Sequence, residues 1–226
     1  MISHLSSVVS SHNTSHVSFE SMVISESRGD VMSVTSASNF RMINTTVANG
    51  FGDCLVMSGT NLTLMGNTVV GCGASGISVA SGDILRLVSG HTVVANNTIT
   101  NVTRIVRVAP GGQAVKLSGV GVRVSHNVLT HTPHTAIYSS GNDHVIEHNN
   151  LSDVCYECND CGALYSARSW AQRGNTVRFN RFQQVRARER LTQMGLTHDS
   201  PQAACYLDDQ MSGFEVYGNT FTDCQT

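Results

Sequence analysis

The sequence predicts an all-β chain, a right-handed parallel β-helix with about 22 residues per coil and roughly eight coils. Three observations predict it. A motif of the form x-V-x-V-x-x-N-x-hydrophobic recurs eight times along the 226 residues. Within each copy apolar and polar residues alternate, the period-2 signature of a strand with one buried face. Gly and Asn gather between the copies, where the chain must turn.

The copies run in order as HVSFESMVI (16–24), NFRMINTTV (39–47), NLTLMGNTV (61–69) and HTVVANNTI (91–99). They continue as GVRVSHNVL (121–129), DHVIEHNNL (143–151), GNTVRFNRF (174–182) and GFEVYGNTF (213–221). The aligned N position is Met22, Thr45, Asn67, Asn97, Asn127, Asn149, Asn180 and Asn219, with steps of 23, 22, 30, 30, 22, 31 and 39 residues. Each repeat can bury its apolar face only by stacking on its neighbours. A second strand follows many of the Asn positions, at Gly76–Val79, Ala114–Leu117, Ala136–Ser139, Ala163–Ser166 and Cys205–Asp208. Two or three short strands per coil are therefore expected. The Asn residues read first as corner residues: they tolerate left-handed backbone angles and can hydrogen-bond to one another along the axis. One domain, 1–226, is expected, with enlarged loops near 155–161 and 186–204. The repeat starts by residue 16 and the chain ends just after a strand, which reads as a fragment lacking the caps of a solenoid.

Composition narrows the partners. The chain is 40% hydrophobic, 6% aromatic and 13% charged, with net charge −2. That balance argues against a nucleic-acid partner, and the one basic cluster, Arg186 to Arg190, reads as a solvated loop. No segment approaches the roughly 18 apolar residues of a membrane span. The start carries no signal peptide. An extracellular or cell-surface monomer is expected, with any secretion signal upstream.

Seven cysteines are present. Cys54 and Cys72 are 18 residues apart, close to one coil, which makes a disulfide between turns feasible. Cys155, Cys158 and Cys161 have metal-ligand spacing, with Cys205 as a candidate fourth ligand, but buried thiols or disulfides are the preferred reading and no metal is expected.

The chemistry is expected on one outer column. Ser78, Lys116, Tyr138, Tyr165 and Tyr206 fall in register on the second strand, and Leu207 should point inward with Asp208 outward beside Tyr206. Three stacked tyrosines suit the C–H faces of sugars, or simply stiffen the sheet. Loops around these coils lengthen, as functional loops on rigid scaffolds do. They gather His131, His134, Asp143, His144, Glu157, Asp160, Arg168, Arg173, Asp199, Asp208 and Asp209. Paired carboxylates across a groove are the equipment of glycoside hydrolysis.

Four segments carry a family resemblance: His131–Tyr138, Gly141–Asn149, Asp160–Asn175 (DCGALYSARSWAQRGN) and Tyr206–Gly213 (YLDDQMSG). Over about residues 115–221 the chain resembles secreted bacterial β-helix proteins of the pectate-lyase-like superfamily that include glycoside hydrolase family 141. The resemblance implies a hydrolase of plant or algal polysaccharide, such as a fucosidase or xylanase. Its catalytic pair would be Asp160 with Asp208 or Asp209. Substrate-binding candidates are His134, Tyr138, His144, Glu157, Tyr165, Arg168, Trp170, Arg173 and Tyr206. Ser169 stands where the family pattern carries Asp, and Cys158 and Cys161 also depart from it. No cofactor is expected for a hydrolase. The alternatives are a polysaccharide lyase or epimerase, which would use Ca²⁺ and a Lys116, Arg168 or His134 base, and a non-catalytic adhesin or carbohydrate-binding β-helix. A polyuronate substrate would call for more basic residues than the groove holds.

Overall fold

The structure, a computed structural model, describes residues 5–108, 111–186 and 202–224. It is a parallel β-helix of eight coils, each contributing one strand to each of three eight-stranded sheets. Every coil thus carries three strands, the upper of the two expected numbers.

Side-chain alternation along these strands builds three inward columns. In the first sheet Met32, Leu55, Ile77, Val115, Ile137 and Leu164 stack in register. The second stacks Met42, Leu64, Val94, Val124, Ile146 and Val177. The third stacks Val47, Val69, Ile99, Leu129, Leu151 and Phe182. These residues are essentially inaccessible to solvent and form one continuous core. The core is narrow, so aliphatic residues fill it and few aromatics are needed.

The Asn positions form a buried ladder. The Oδ1 of Asn97 accepts the backbone N–H and the Nδ2 of Asn67, each at 2.9 Å. The same pair of bonds joins Asn97 to Asn127, Asn127 to Asn149 and Asn149 to Asn180. Thr45 extends the ladder, its N–H donating to Asn67 Oδ1. One detail of the expectation is corrected. The left-handed angles lie on the residue just before each ladder position: Asn44, Gly66, Asn96, His126, His148, Phe179 and Gly218, with φ between 49° and 69°. The ladder residue must aim its amide into the coil to reach both neighbours, so the turn is taken one residue earlier. At those turns the rings of His126, His148 and Phe179 stack outside, with centroids 4.9 and 5.3 Å apart.

The corner after the first sheet is tight. Gly119 and Gly141 are in register at φ 98° and 119°. A Cβ on Gly141 would strike the Gly119 carbonyl, so these positions require glycine.

The 30-residue steps add chain outside the regular coil. The step from Asn67 to Asn97 adds a projecting turn closed by an antiparallel bridge between Asp83 and Val88. The next step adds an exposed connection that includes Ile105 and Val108. Of the two loops expected to be enlarged, 155–161 is a compact bend before the strand Cys161–Ala167. Most of 186–204, with Asp199 and most of the basic cluster, lies outside the described residues. Arg186 itself pairs with Asp223 at 3.1 Å.

Cys54 and Cys72 form the disulfide thought feasible, with Cα atoms 5.5 Å apart. Cys158 and Cys161 form another, while Cys155 and Cys205 are free. The Sγ atoms of Cys155, Cys158 and Cys161 lie within 4.8 Å of one another. Cys205, the candidate fourth ligand, is outside that cluster.

Candidate functional site

The outer column of the first sheet is in the expected register. Ser78 pairs with Lys116, Lys116 with Tyr138, Tyr138 with Tyr165 and Tyr165 with Tyr206. The strands responsible are Ile77–Ser81, Val115–Val120, Ile137–Asn142, Cys161–Ala167 and Gln202–Asp208. The rings do not form a flat platform. Tyr138 and Tyr165 are tilted with centroids 6.1 Å apart, and Tyr206 meets Tyr165 edge-on at 5.4 Å. Tyr165 is buried, so its ring face is closed to a sugar.

The tyrosine hydroxyls gather the acids. Tyr165 donates to Asp208 Oδ2 at 2.7 Å, and Tyr206 donates to Asp160 Oδ1 at 3.0 Å. The rings of Tyr165 and Tyr206 meet edge-on, so two carboxylates from different coils are held by neighbouring phenols. Burial, and then the Asp208 carboxylate, push the Tyr165 hydroxyl well above its ordinary range. Burial and the Asp160 bond push Tyr206 up to about 12. Both phenols thus stay protonated donors at neutral pH. Asp160 itself is exposed, at a left-handed φ of 52° within the Cys158–Cys161 bend.

Asp209 is not part of this pair. Its carboxylate faces Arg168 Nε at 3.1 Å, and both side chains are more than half exposed. Alternation places Asp208 outward as expected. Leu207 holds the inward register over buried Ser166 but is 38% exposed, because its strand is the edge of the described sheet.

The remaining candidates scatter. His144 is wholly buried at a corner. Its Nδ1 accepts the Val122 N–H at 3.1 Å and its Nε2 donates to the Ser140 carbonyl at 3.1 Å. It holds two coils together and has no surface to offer a ligand. His134 is buried too, its Nδ1 unpartnered among the described residues, and desolvation lowers its pKa to about 4. A neutral, enclosed imidazole is a poor proton acceptor. Glu157 pairs with Arg107 at the loop surface. Trp170 is 78% exposed, held by a 2.8 Å bond from the Ser212 hydroxyl to its backbone carbonyl. Arg173 is exposed and anchored through its backbone, its N–H to Asn142 Oδ1 at 2.9 Å.

Two concave surfaces lie beside this cluster or away from it. One, of about 480 Å³, involves His16, Asn39, Arg41 and Asn61, several coils from the acids. The other, of about 310 Å³, runs between the projecting 83–88 turn and residues 169–173. The sequence reading missed its apolar wall, Ile84, Leu85 and Leu87. The available signal was the run ILRLV at 84–88, apolar residues that fit neither strand alternation nor the 22-residue period.

No helix among the described residues is long and apolar enough to cross a membrane. No curated protein and no solved structure matches the chain significantly. Residues 2–152 match the family described as "Right handed beta helix region". The matched span covers the regular coils and stops before Asp160. With three parallel sheets coiled around one aliphatic core and this match over most of its length, the chain belongs to the right-handed β-helix family.

Proposed function

We propose that this β-helix is carbohydrate-active and hydrolyses a glycosidic bond in a plant or algal polysaccharide, with Asp160 and Asp208 as the acting pair. The observation that carries the reading is the pair of neighbouring tyrosine hydroxyls, Tyr206 on Asp160 and Tyr165 on Asp208, which holds two carboxylates from different coils on one face. Carboxylates paired in this way can work together, one protonating the leaving oxygen and the other attacking or activating water. Tyr165 and Tyr206 hold the acids by charge-assisted bonds and fix their orientation. Tyr138, packed against Tyr165, offers apolar surface beside them. The resemblance of residues 115–221 to glycoside hydrolase family 141 supports Asp160 with Asp208 or Asp209, and of these two Asp208 is the one held by Tyr165 while Asp209 faces Arg168. Secretion, a monomeric state and a requirement for no cofactor are part of this proposal.

The test is release of reducing ends from a panel of plant and algal polysaccharides. Asp160→Asn and Asp208→Asn should each lower the rate by at least about a thousandfold with unchanged circular dichroism. Asp209→Asn should keep most of it. Unsaturated ends absorbing in the ultraviolet would replace hydrolysis with a lyase reaction. Binding without turnover would replace it with a non-catalytic module.

A further inference from the structure

The turn at 83–88 presents aliphatic side chains to solvent on an organised frame. Leu85 is 93% exposed, and Ile84 and Val88 are each more than half exposed. The turn is held by reciprocal backbone bonds between Asp83 and Val88, at 2.9 and 3.0 Å. Asp83 Oδ1 also caps the N–H groups of Leu85 and Arg86, at 3.0 and 3.1 Å. Exposed aliphatics on an ordered frame mark a surface that something else covers. The turn forms one wall of the cleft of about 310 Å³. The opposite wall carries Arg173, whose guanidinium has no ion pair or hydrogen bond among the described residues.

This cleft continues the candidate site. Ser140, in the cleft, follows Tyr138 by two residues on the strand Ile137–Asn142, an offset of roughly 7 Å on the same outer face. Ser169, also in the cleft, comes two residues after Ala167, the register partner of Asp208. A glycan lying across the two acids would therefore place its next residue in the cleft. Its volume is at the small end for ligand sites, enough for one substituted sugar.

The two walls select chemistry. A free carboxylate would suit Arg173 but would be desolvated by the leucines facing it. A bare sugar would use the arginine and leave the aliphatic wall only partly covered. An ester uses both, its carbonyl accepting from the guanidinium and its methyl group packing on the aliphatic wall. We infer that the cleft between the 83–88 turn and residues 169–173 is a subsite for an O-acylated sugar, acetylated in the simplest case. The assignment deepens the hydrolase reading, which supplies only the chemistry next door.

Calorimetric binding to the Asp208→Asn protein tests it without turnover. The probes are oligosaccharides of acetylated xylan, acetylated glucomannan and methyl-esterified, acetylated pectin, each before and after mild alkali. Removal of the esters should weaken binding of at least one probe about fivefold, the effect of one buried methyl group and its hydrogen bond. Leu85→Asn, at an exposed and tolerant site, should erase that difference while leaving the de-esterified form bound as before, and Arg173→Gln should erase it while weakening both forms. Equal binding before and after alkali, tighter binding of the free pectin carboxylates, retention of the preference by Leu85→Asn, or no binding of any esterified probe would each overturn the assignment. Because binding is read in a variant lacking an acting carboxylate, loss of the hydrolase reading would show in the turnover assay alone.

Discussion

Asn127→Ala should be among the most damaging single changes in the rod. The side chain is 1% exposed. Its Oδ1 accepts from the backbone N–H and the Nδ2 of Asn97, and its Nδ2 donates to the Val94 carbonyl and to Asn149 Oδ1, all at 2.9 Å. Alanine removes all four bonds. Two of the partners keep another bond: Asn97 Nδ2 still reaches the Leu64 carbonyl, and Asn149 Oδ1 still accepts the residue-127 N–H. The Asn97 N–H is left without its acceptor in a dry interior. An orphaned buried donor costs about 1–3 kcal/mol and each lost bond about 1 kcal/mol, so the expected loss is about 4 kcal/mol. That is a large share of the 5–15 kcal/mol typical of a folded domain. Asn219 makes equivalent bonds to Asn180 and Val177 on the last described rung, where it is only partly buried. Water can replace them there, and Asn219→Ala should cost about 1 kcal/mol. Urea unfolding followed by far-ultraviolet circular dichroism gives both numbers. A loss below about 1.5 kcal/mol at Asn127, or equal losses at the two positions, would refute the account of the ladder as a buried, solvent-free hydrogen-bond column.

Three further outcomes are expected. Cys54→Ser should lower stability by about 3 kcal/mol, the entropy of opening a loop of this length, and a thiol reductant should produce the same loss in the parent protein but little more in the variant. His134 is depressed from 6.5 to about 4 in the folded chain, so the unfolded chain binds its proton first. Its contribution is complete above pH 6.5 and is lost as pH falls toward 4, by about 3 kcal/mol in all. His134→Gln should flatten that part of the stability profile in pH-dependent urea titrations, leaving the weaker slope of buried His144, whose pKa burial also lowers. Tyr206→Phe removes the hydroxyl that holds Asp160 and, on the hydrolase reading, should cut turnover about tenfold or more; a thermal midpoint shifted by more than a few degrees would mean the hydroxyl serves the fold instead.

Much of this protein could be read along the chain. The eight motif copies gave the coils, and alternation such as Val122-Arg123-Val124 gave the buried columns, because a parallel β-helix is held by near-neighbour stacking that repeats in the sequence. The tyrosine column followed from the same period, since register between adjacent coils is set by equivalent positions. What repetition could not carry was everything that interrupts it. His144 and Asp208 look alike as polar residues near the motif, yet one is sealed in a corner by Val122 and Ser140 and the other stands on the open face. Asp208 and Asp209 are adjacent, but the strand ends at Asp208 and Asp209 takes a left-handed φ of 42°, so one faces Tyr165 and the other Arg168.

By itself the sequence determined the solenoid, its inward and outward faces and the coils where irregularity begins, because those depend on local period and on identical neighbours. Only the tertiary structure decided which acids meet. Asp160 and Asp208 are 48 residues apart in the chain and are brought near each other by Tyr206 and Tyr165, whose rings meet on neighbouring coils. It alone also decided that the insertion after Ser81 folds across later coils to wall a cleft with residues 169–173. Such contacts depend on where loops come to rest in space, and no periodicity in the chain encodes that.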